Sequence, residues 1–132
     1  MDDSPCAVDR LLDRARASLV RVEPDALEEA VAAGAVVVDI RPVEQRDRDG
    51  AMPGALVIDR NVLEWRLDPT CPHRSPGAVQ PDSRVIIVCN EGYQSSLAAA
   101  TLQQLGLPNA TDLVGGYQQW MALQRQSDPA SP

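Results

Sequence analysis

The chain has no lysine and no phenylalanine, one histidine, an aromatic content of 3% and no Cys-x-x-Cys pair. Every basic residue is arginine, which together with the abundant alanine and proline reads as the codon bias of a GC-rich genome and bears on source, not mechanism. Basic residues are also outnumbered. The formal net charge is −7 and the pI about 4.5, which argues against a nucleic-acid or anionic-membrane partner. No apolar run approaches the roughly 20 residues of a membrane span. The N-terminus, Met1-Asp2-Asp3-Ser4-Pro5, is acidic where a signal peptide would be basic and then apolar. Cys6, Cys71 and Cys89 are odd in number and widely spaced, so neither a zinc knuckle nor a disulfide framework is expected. Cys71 and His73 are too few ligands for a metal site. These absences together predict a cytoplasmic protein with no nucleic-acid partner, no membrane and no metal.

What is present is a folding sequence. At 132 residues and 44% hydrophobic, it is long enough for one domain with a real core and too short for two. Ser4-Pro5 reads as the start of an N-terminal helix, with Val8, Leu11, Leu12 and Ala15 on one face. Leu19 to Val22 reads as a short strand. A second helix follows from Pro24, with Leu27, Ala30 and Val31 inward and Gly34 as its stop. Ala35 to Ile40 is a near-continuous apolar run, the mark of a strand buried on both faces. Val43 to Arg48 and Asn61 to Leu67 are expected helices, and Ala55 to Ile58 a strand after the Pro53-Gly54 turn. Asp68 to Asp82, with four prolines, is expected to be irregular. Arg84 to Val88 reads as the central strand, Leu97 to Leu105 as a helix and Ala110 to Val114 as a last strand. Gly115-Gly116 then leads into a helix carrying Trp120. Strands alternating with helices through short connections predict a parallel α/β sheet.

Cys89 is the most informative residue. It ends the apolar run Val85-Ile86-Ile87-Val88 and is followed by Asn90-Glu91-Gly92-Tyr93-Gln94-Ser95-Ser96 and then a helix. A strand, a cysteine, a glycine-containing loop and a helix N-terminus aim several backbone N–H groups at one place. The helix dipole adds partial positive charge there. A thiolate or persulfide anion is stabilised in such a cradle. Ligands of parallel sheets bind beyond the carboxyl ends of the strands. That rule gathers Asp39-Ile40-Arg41, Asp59-Arg60, Cys89 and Gly115-Gly116 on one edge.

Four motifs in order, across Leu19 to Leu123, resemble the rhodanese (sulfurtransferase) family. Val38-Asp39-Ile40-Arg41 with Glu44 is similar to its Asp-x-Arg segment, and Gly50-Ala51-Met52-Pro53-Gly54-Ala55 to its Gly-His-Ile-Pro-Gly-Ala turn. Cys89 with Gly92 and Ser95 resembles the active-site loop, and Gly115-Gly116-Tyr117-Gln118-Gln119-Trp120 the Gly-Gly-x-x-x-Trp near the C-terminus. The resemblance implies a single domain over 1–132, with a rhodanese-like core at about 19–124 and a frayed tail at 125–132. Its fold would be a five-stranded, mostly parallel sheet flanked by helices on both faces, preceded here by the N-terminal helix. It implies sulfane sulfur transfer through a Cys89 persulfide, from thiosulfate, a persulfide donor or a protein-borne persulfide to a thiol or cyanide. No metal or organic cofactor is implied.

The chain departs from that pattern at three places. Ala51 stands for the usual histidine, Gln94 for the arginine often found five residues after the cysteine, and Glu91 brings a negative charge into the loop. These predict a reactive cysteine with a weaker preference for small dianions. The expected site is Cys89 with the loop Asn90, Glu91, Gly92, Tyr93, Gln94 and Ser95. Arg60 and Arg41 are the candidate substrate-binding cations, with Arg66 behind them; for Arg41 a salt bridge to Glu44 or Asp39 that pins the loop ranks above a substrate role. Two other readings compete. One is a non-catalytic rhodanese-like binding or regulatory module. The other is a phosphatase, since some dual-specificity phosphatases share the fold, but their loop needs an arginine six residues after the cysteine, where this chain has Ser95.

Overall fold

The computed structural model describes residues 5–75 and 79–127. Four parallel strands form one sheet in the order β2-β1-β3-β4: β1 (Val36–Asp39), β2 (Leu56–Val57), β3 (Val85–Val88) and β4 (Thr111–Asp112). Val36 to Asp39 pair one-to-one with Val85 to Val88, and Asp39 also pairs with Val57. The carboxyl ends of the central strands are therefore level, and Cys89 and Arg41 leave the sheet at the same edge.

The apolar strands divide their side chains between two cores, as the two-residue period of a strand requires. Val38, Val85 and Ile87 join a cluster with Leu63 and Leu67 of α4 (Leu63–Leu67) and Ala98, Ala99 and Leu102 of α5 (Gln94–Leu105). Val37, Ile86 and Val88 face the other way. They meet Leu27 and Ala30 of α2 (Leu27–Ala32) and Tyr117 of α6 (Gly116–Ser127). All four residues of β3 are fully buried. At about 1.5–3 kcal/mol per buried Val or Ile side chain, this strand is a main source of stability. It ends at Cys89, which therefore follows directly on a fully buried strand. The helix α1 (Ala7–Arg16) packs on α5 and buries none of its own residues completely. The short α3 (Val43–Asp49) links β1 to β2. No described helix is long and apolar enough to cross a membrane.

The structure corrects four expectations. The sheet has four strands among the described residues, not five. Of Leu19 to Val22, only Val22 pairs, through Val22 N–H to Asp112 O and Val114 N–H to Val22 O, both 2.9 Å. The segment is squeezed between two turns. Leu19 N–H still bonds Arg16 O at 3.1 Å, and a 3-10 turn begins at Pro24, whose ring fixes φ. Val31, expected inward, is 46% exposed and lies on the rim of a groove that also touches Leu27, Met52 and Trp120. The N-terminal helix begins at Ala7 with Cys6 at its cap; Ser4 lies outside the described residues. At the other end, α6 runs to Ser127, so residues 125–127 belong to the helix and not to the tail, while 128–132 are outside the description.

Candidate active site

Cys89 is nearly buried, 8% exposed, at the floor of a pocket of about 320 Å³. The pocket is lined by Ile40, Arg41, Pro42 and Gln45 after β1 and by Cys89, Asn90, Glu91, Tyr93 and Gln94 of the loop. Two backbone amides point at the sulfur: Gly92 N–H at 3.2 Å and Ser95 N–H at 3.3 Å from Sγ. These are charge-assisted hydrogen bonds once the sulfur is an anion, each worth about 1.5–3 kcal/mol. Ser95 is in the first turn of α5, so its amide is one of the donors that every helix leaves unpaired at its start. Sequence, loop and helix thus converge on an anion-stabilising cradle.

Glycine at three positions makes this backbone path fit. Gly92 has φ +87, and a Cβ there would lie 2.7 Å from Gly115 N. Gly116 has φ +62, and a Cβ would lie 2.5 Å from Cys89 O. The Gly115-Gly116 pair lets α6 start against the cysteine loop, where Tyr117 N–H bonds Cys89 O at 2.9 Å and Gln118 N–H bonds Asn90 O at 3.1 Å. The Gln118 side chain also reaches Asn90 Oδ1 and Asp49 Oδ2, each at 2.9 Å.

Arg41 lines the pocket, but its charge is turned inward. Its side chain and that of Asp39 are both fully buried and joined at 2.8 Å. Nη2 also donates to Gly50 O at 2.9 Å, and the guanidinium lies 3.8 Å above the Tyr117 ring. This ties β1 to the turn at Gly50 and to α6, so the Asp-x-Arg segment and the glycine turn are in contact. Arg41 Nη1 is buried with no hydrogen-bond partner among the described residues. Arg60 is not brought to the pocket lining: it caps Glu64 at 2.9 Å one helical turn on, in the 3-10 turn after β2. Arg66 donates to His73 O at 3.1 Å in the proline-rich segment. Among the described residues, the one exposed charged side chain lining the pocket is therefore Glu91. Tyr93 is 60% exposed at the mouth. Cys71 is half-buried in a turn, with His73 N–H 3.4 Å from its sulfur.

Four residues behind the loop escaped the sequence reading. Asp112 is fully buried at the end of β4 and accepts from Ser95 Oγ and Ser96 Oγ, each at 2.7 Å. Arg21 closes on the same carboxylate at 2.8 and 3.2 Å. Arg21 Nη2 and Arg16 Nη2 then both donate to Gly92 O, at 3.1 and 2.8 Å, and Arg16 Nε reaches Ser96 Oγ at 3.0 Å. One signal was legible: Asp112 is an acidic residue inside an apolar strand, and a buried acid needs a partner. Nothing in the local pattern named Arg16 and Arg21, which lie more than 70 residues from Gly92 in the chain.

Comparison with known proteins agrees with this geometry. The family profile described as "Rhodanese-like domain" matches residues 23–123. A curated protein of the yeast Ogataea parapolymorpha, "Adenylyltransferase and sulfurtransferase uba4", is 30% identical over 96 residues, 73% of this chain and 22% of that protein. The chain spans about a fifth of the length of the curated relatives it matches. Among solved structures, a Rhodopseudomonas palustris protein described as of unknown function, "Possible Tyrosine Phosphatase", superposes with a TM-score of 0.80 at 30% identity, covering 94% of this chain and 96% of that one. The human single-domain sulfurtransferase TSTD1 superposes with a TM-score of 0.66 at 26% identity, covering 77% of this chain and 95% of that one.

Proposed function

The chain belongs to the rhodanese-like domain family, and we propose that it moves sulfane sulfur through a persulfide on Cys89. The observation that carries this reading is the pair of amides on Sγ at 3.2 and 3.3 Å, at the floor of an open pocket. In the first half-reaction the Cys89 thiolate attacks the outer sulfur of the donor. A new S–S bond forms on Cys89 and the donor's own S–S bond breaks. The electron pair leaves with sulfite if the donor is thiosulfate, or with a thiolate if it is a persulfide. In the second half, an acceptor thiolate or cyanide attacks the outer sulfur of the Cys89 persulfide and the thiolate is regenerated. This is ping-pong covalent catalysis with amide donors in place of a general base. Protein residues suffice for each step.

The pocket favours a neutral or protein-borne persulfide over thiosulfate. Its exposed charge is Glu91, and Arg41 is neutralised by Asp39. A dianion entering there meets repulsion from Glu91, and no unpaired cationic side chain lines the pocket among the described residues to offset it. The same argument weighs against phosphoryl chemistry. The residue six after Cys89 is Ser95, whose hydroxyl is spent on Asp112 at 2.7 Å, so no arginine clamps a phosphate from within the loop.

Intact-protein mass spectrometry after incubation with thiosulfate, a low-molecular-weight persulfide and a persulfidated protein tests the proposal. One added sulfur per chain is expected, reversed by a thiol, absent in Cys89→Ser and retained in Cys6→Ser and Cys71→Ser. No sulfur uptake from any donor would favour the non-catalytic module. Cys89-dependent hydrolysis of an aryl phosphate at an enzyme-like rate would replace the assignment with a phosphatase. Equal loss in Cys71→Ser and Cys89→Ser would require a two-cysteine relay.

A further inference from the structure

We infer that Arg16 and Arg21 are positioning residues of the Cys89 cradle, supplying from behind the loop the positive charge that the pocket lacks. The inference rests on the reading of Cys89 as a nucleophile. Both residues precede the family-matched segment 23–123, so this part of the site comes from the N-terminal helix and its exit.

The geometry is a clamp. Gly92 presents its N–H to Sγ at 3.2 Å and its carbonyl to Arg16 and Arg21 at 2.8 and 3.1 Å. Gly92, at φ +87, has no side chain to hold it, so the two arginines on its carbonyl anchor the peptide unit that follows the one donating to the sulfur and restrict how far the loop can move there. Arg21 is itself fixed by Asp112, and Asp112 by Ser95 and Ser96 of α5. Ser95 gives its second amide to the same sulfur. Each of the two donors to Sγ is therefore braced through the Asp112 network. Neither arginine lines the pocket, so neither meets the substrate. Asp112 offsets one of the two positive charges. The Arg16 guanidinium has no carboxylate partner among the described residues; it meets Gly92 O, Ser96 Oγ and, at 5.8 Å, the Tyr93 ring. Glu91 opposes it from the pocket side, and the Asp39–Arg41 pair is self-neutralised. Arg16 and the Cys89 sulfur bond Gly92 from its two ends, so the unpaired positive charge lies behind the sulfur and attracts an anion there.

The test uses the full chain carrying Cys6→Ser and Cys71→Ser, so that Cys89 is the single thiol. Its alkylation by iodoacetamide, a neutral reagent, is timed at neutral pH and across salt concentrations. Arg16→Gln is expected to slow alkylation three- to tenfold, with a smaller deficit at high salt and little change in melting temperature. Arg16→Lys, which keeps the charge, should restore most of the rate. Arg21→Gln combined with Asp112→Asn, which leaves no buried charge unpaired, should slow it similarly. With a persulfide donor, Arg16→Gln should lower kcat and leave KM nearly constant. Alkylation within twofold of the parent in Arg16→Gln, or no rescue by Arg16→Lys, would overturn the inference. Alkylation needs no sulfur donor, so this failure is distinct from failure to form a Cys89 persulfide.

Discussion

Replacing Gly116 by alanine joins a backbone requirement directly to the chemistry. A Cβ at Gly116 would lie 2.5 Å from Cys89 O and 2.8 Å from both the carbonyl carbon and oxygen of Asn90. An ordinary carbon–oxygen contact is about 3.3–3.6 Å, so the loop must retreat by roughly 1 Å. The neighbours are backbone, held by Tyr117 N–H on Cys89 O at 2.9 Å and Gln118 N–H on Asn90 O at 3.1 Å, and cannot swing aside as a side chain would. The left-handed conformation, φ +62, costs alanine about 1–2 kcal/mol and the overpacking about 1–3 kcal/mol more. Gly34 is the control: its φ is +105 and a Cβ there meets nothing within 4 Å, so Gly34→Ala costs only the conformational part. For a chain of this size about 4 °C of melting temperature accompanies each kcal/mol. Gly116→Ala should therefore melt about 8–20 °C lower than wild type, and Gly34→Ala about 4–8 °C lower. At a temperature where both variants are folded, sulfur uptake should fall at least about tenfold in Gly116→Ala, since misplacing the reacting group by about 1 Å is costly. Gly34→Ala should keep its rate. Differential scanning fluorimetry and single-turnover persulfidation measure both quantities. Equal melting temperatures for the two variants, or an undiminished rate in Gly116→Ala, would refute the argument that the paired glycines exist to seat α6 on the cysteine loop.

Three further outcomes are expected. Asp39→Asn should destabilise by about 3–5 kcal/mol because it leaves the Arg41 charge buried and unpaired, whereas Asp39→Leu with Arg41→Met should recover most of the loss; urea titration checks this, and a double variant as unstable as the single one would contradict it. Glu91→Gln should raise thiosulfate efficiency about fivefold, less so at high salt and little for a neutral persulfide; steady-state kinetics with both donors decides, and no gain would mean that the carboxylate is not felt at the sulfur. Burial pushes the Tyr117 phenol up from its ordinary value, against the opposing pull of Arg41. A raised acid favours its neutral form in the folded state, so the stability it adds is complete below about pH 10 and is lost as pH rises through the folded value. Alkaline melting curves should thus fall more steeply for wild type than for Tyr117→Phe, and identical slopes would contradict the burial argument.

Apolar periodicity and strand-end placement made most of the architecture legible. Ala35 to Val38 and Val85 to Val88 are apolar at consecutive positions and rich in β-branched residues, the pattern of a strand covered on both faces. The parallel sheet followed from that, and with it the edge at which Cys89 and Arg41 meet. The cysteine loop was readable because its chemistry is local: Gly92 and Ser95 are three and six residues from the sulfur they bond.

Properties that depend on distant partners were not readable. For Arg41 the salt bridge to Asp39, two residues away, was among the readings the sequence offered and is the one that forms; its contacts to Gly50 O and the Tyr117 ring depend on distant segments and were not readable. Arg60 follows a strand end as expected, yet Glu64, one helical turn on, takes its charge away from the pocket lining. Leu19 to Val22 has strand-forming residues, but a helix exit before it and Pro24 after it leave room for one paired residue. The sequence by itself determined the apolar central strands and the glycine loop and helix start that set two amides on the Cys89 sulfur, because hydrophobic period, glycine and helix start act over a few residues. Only the tertiary structure decided which arginines reach Gly92 and Asp112, because a buried charge takes the partner that packing brings within about 3 Å, and chain order carries no record of that distance.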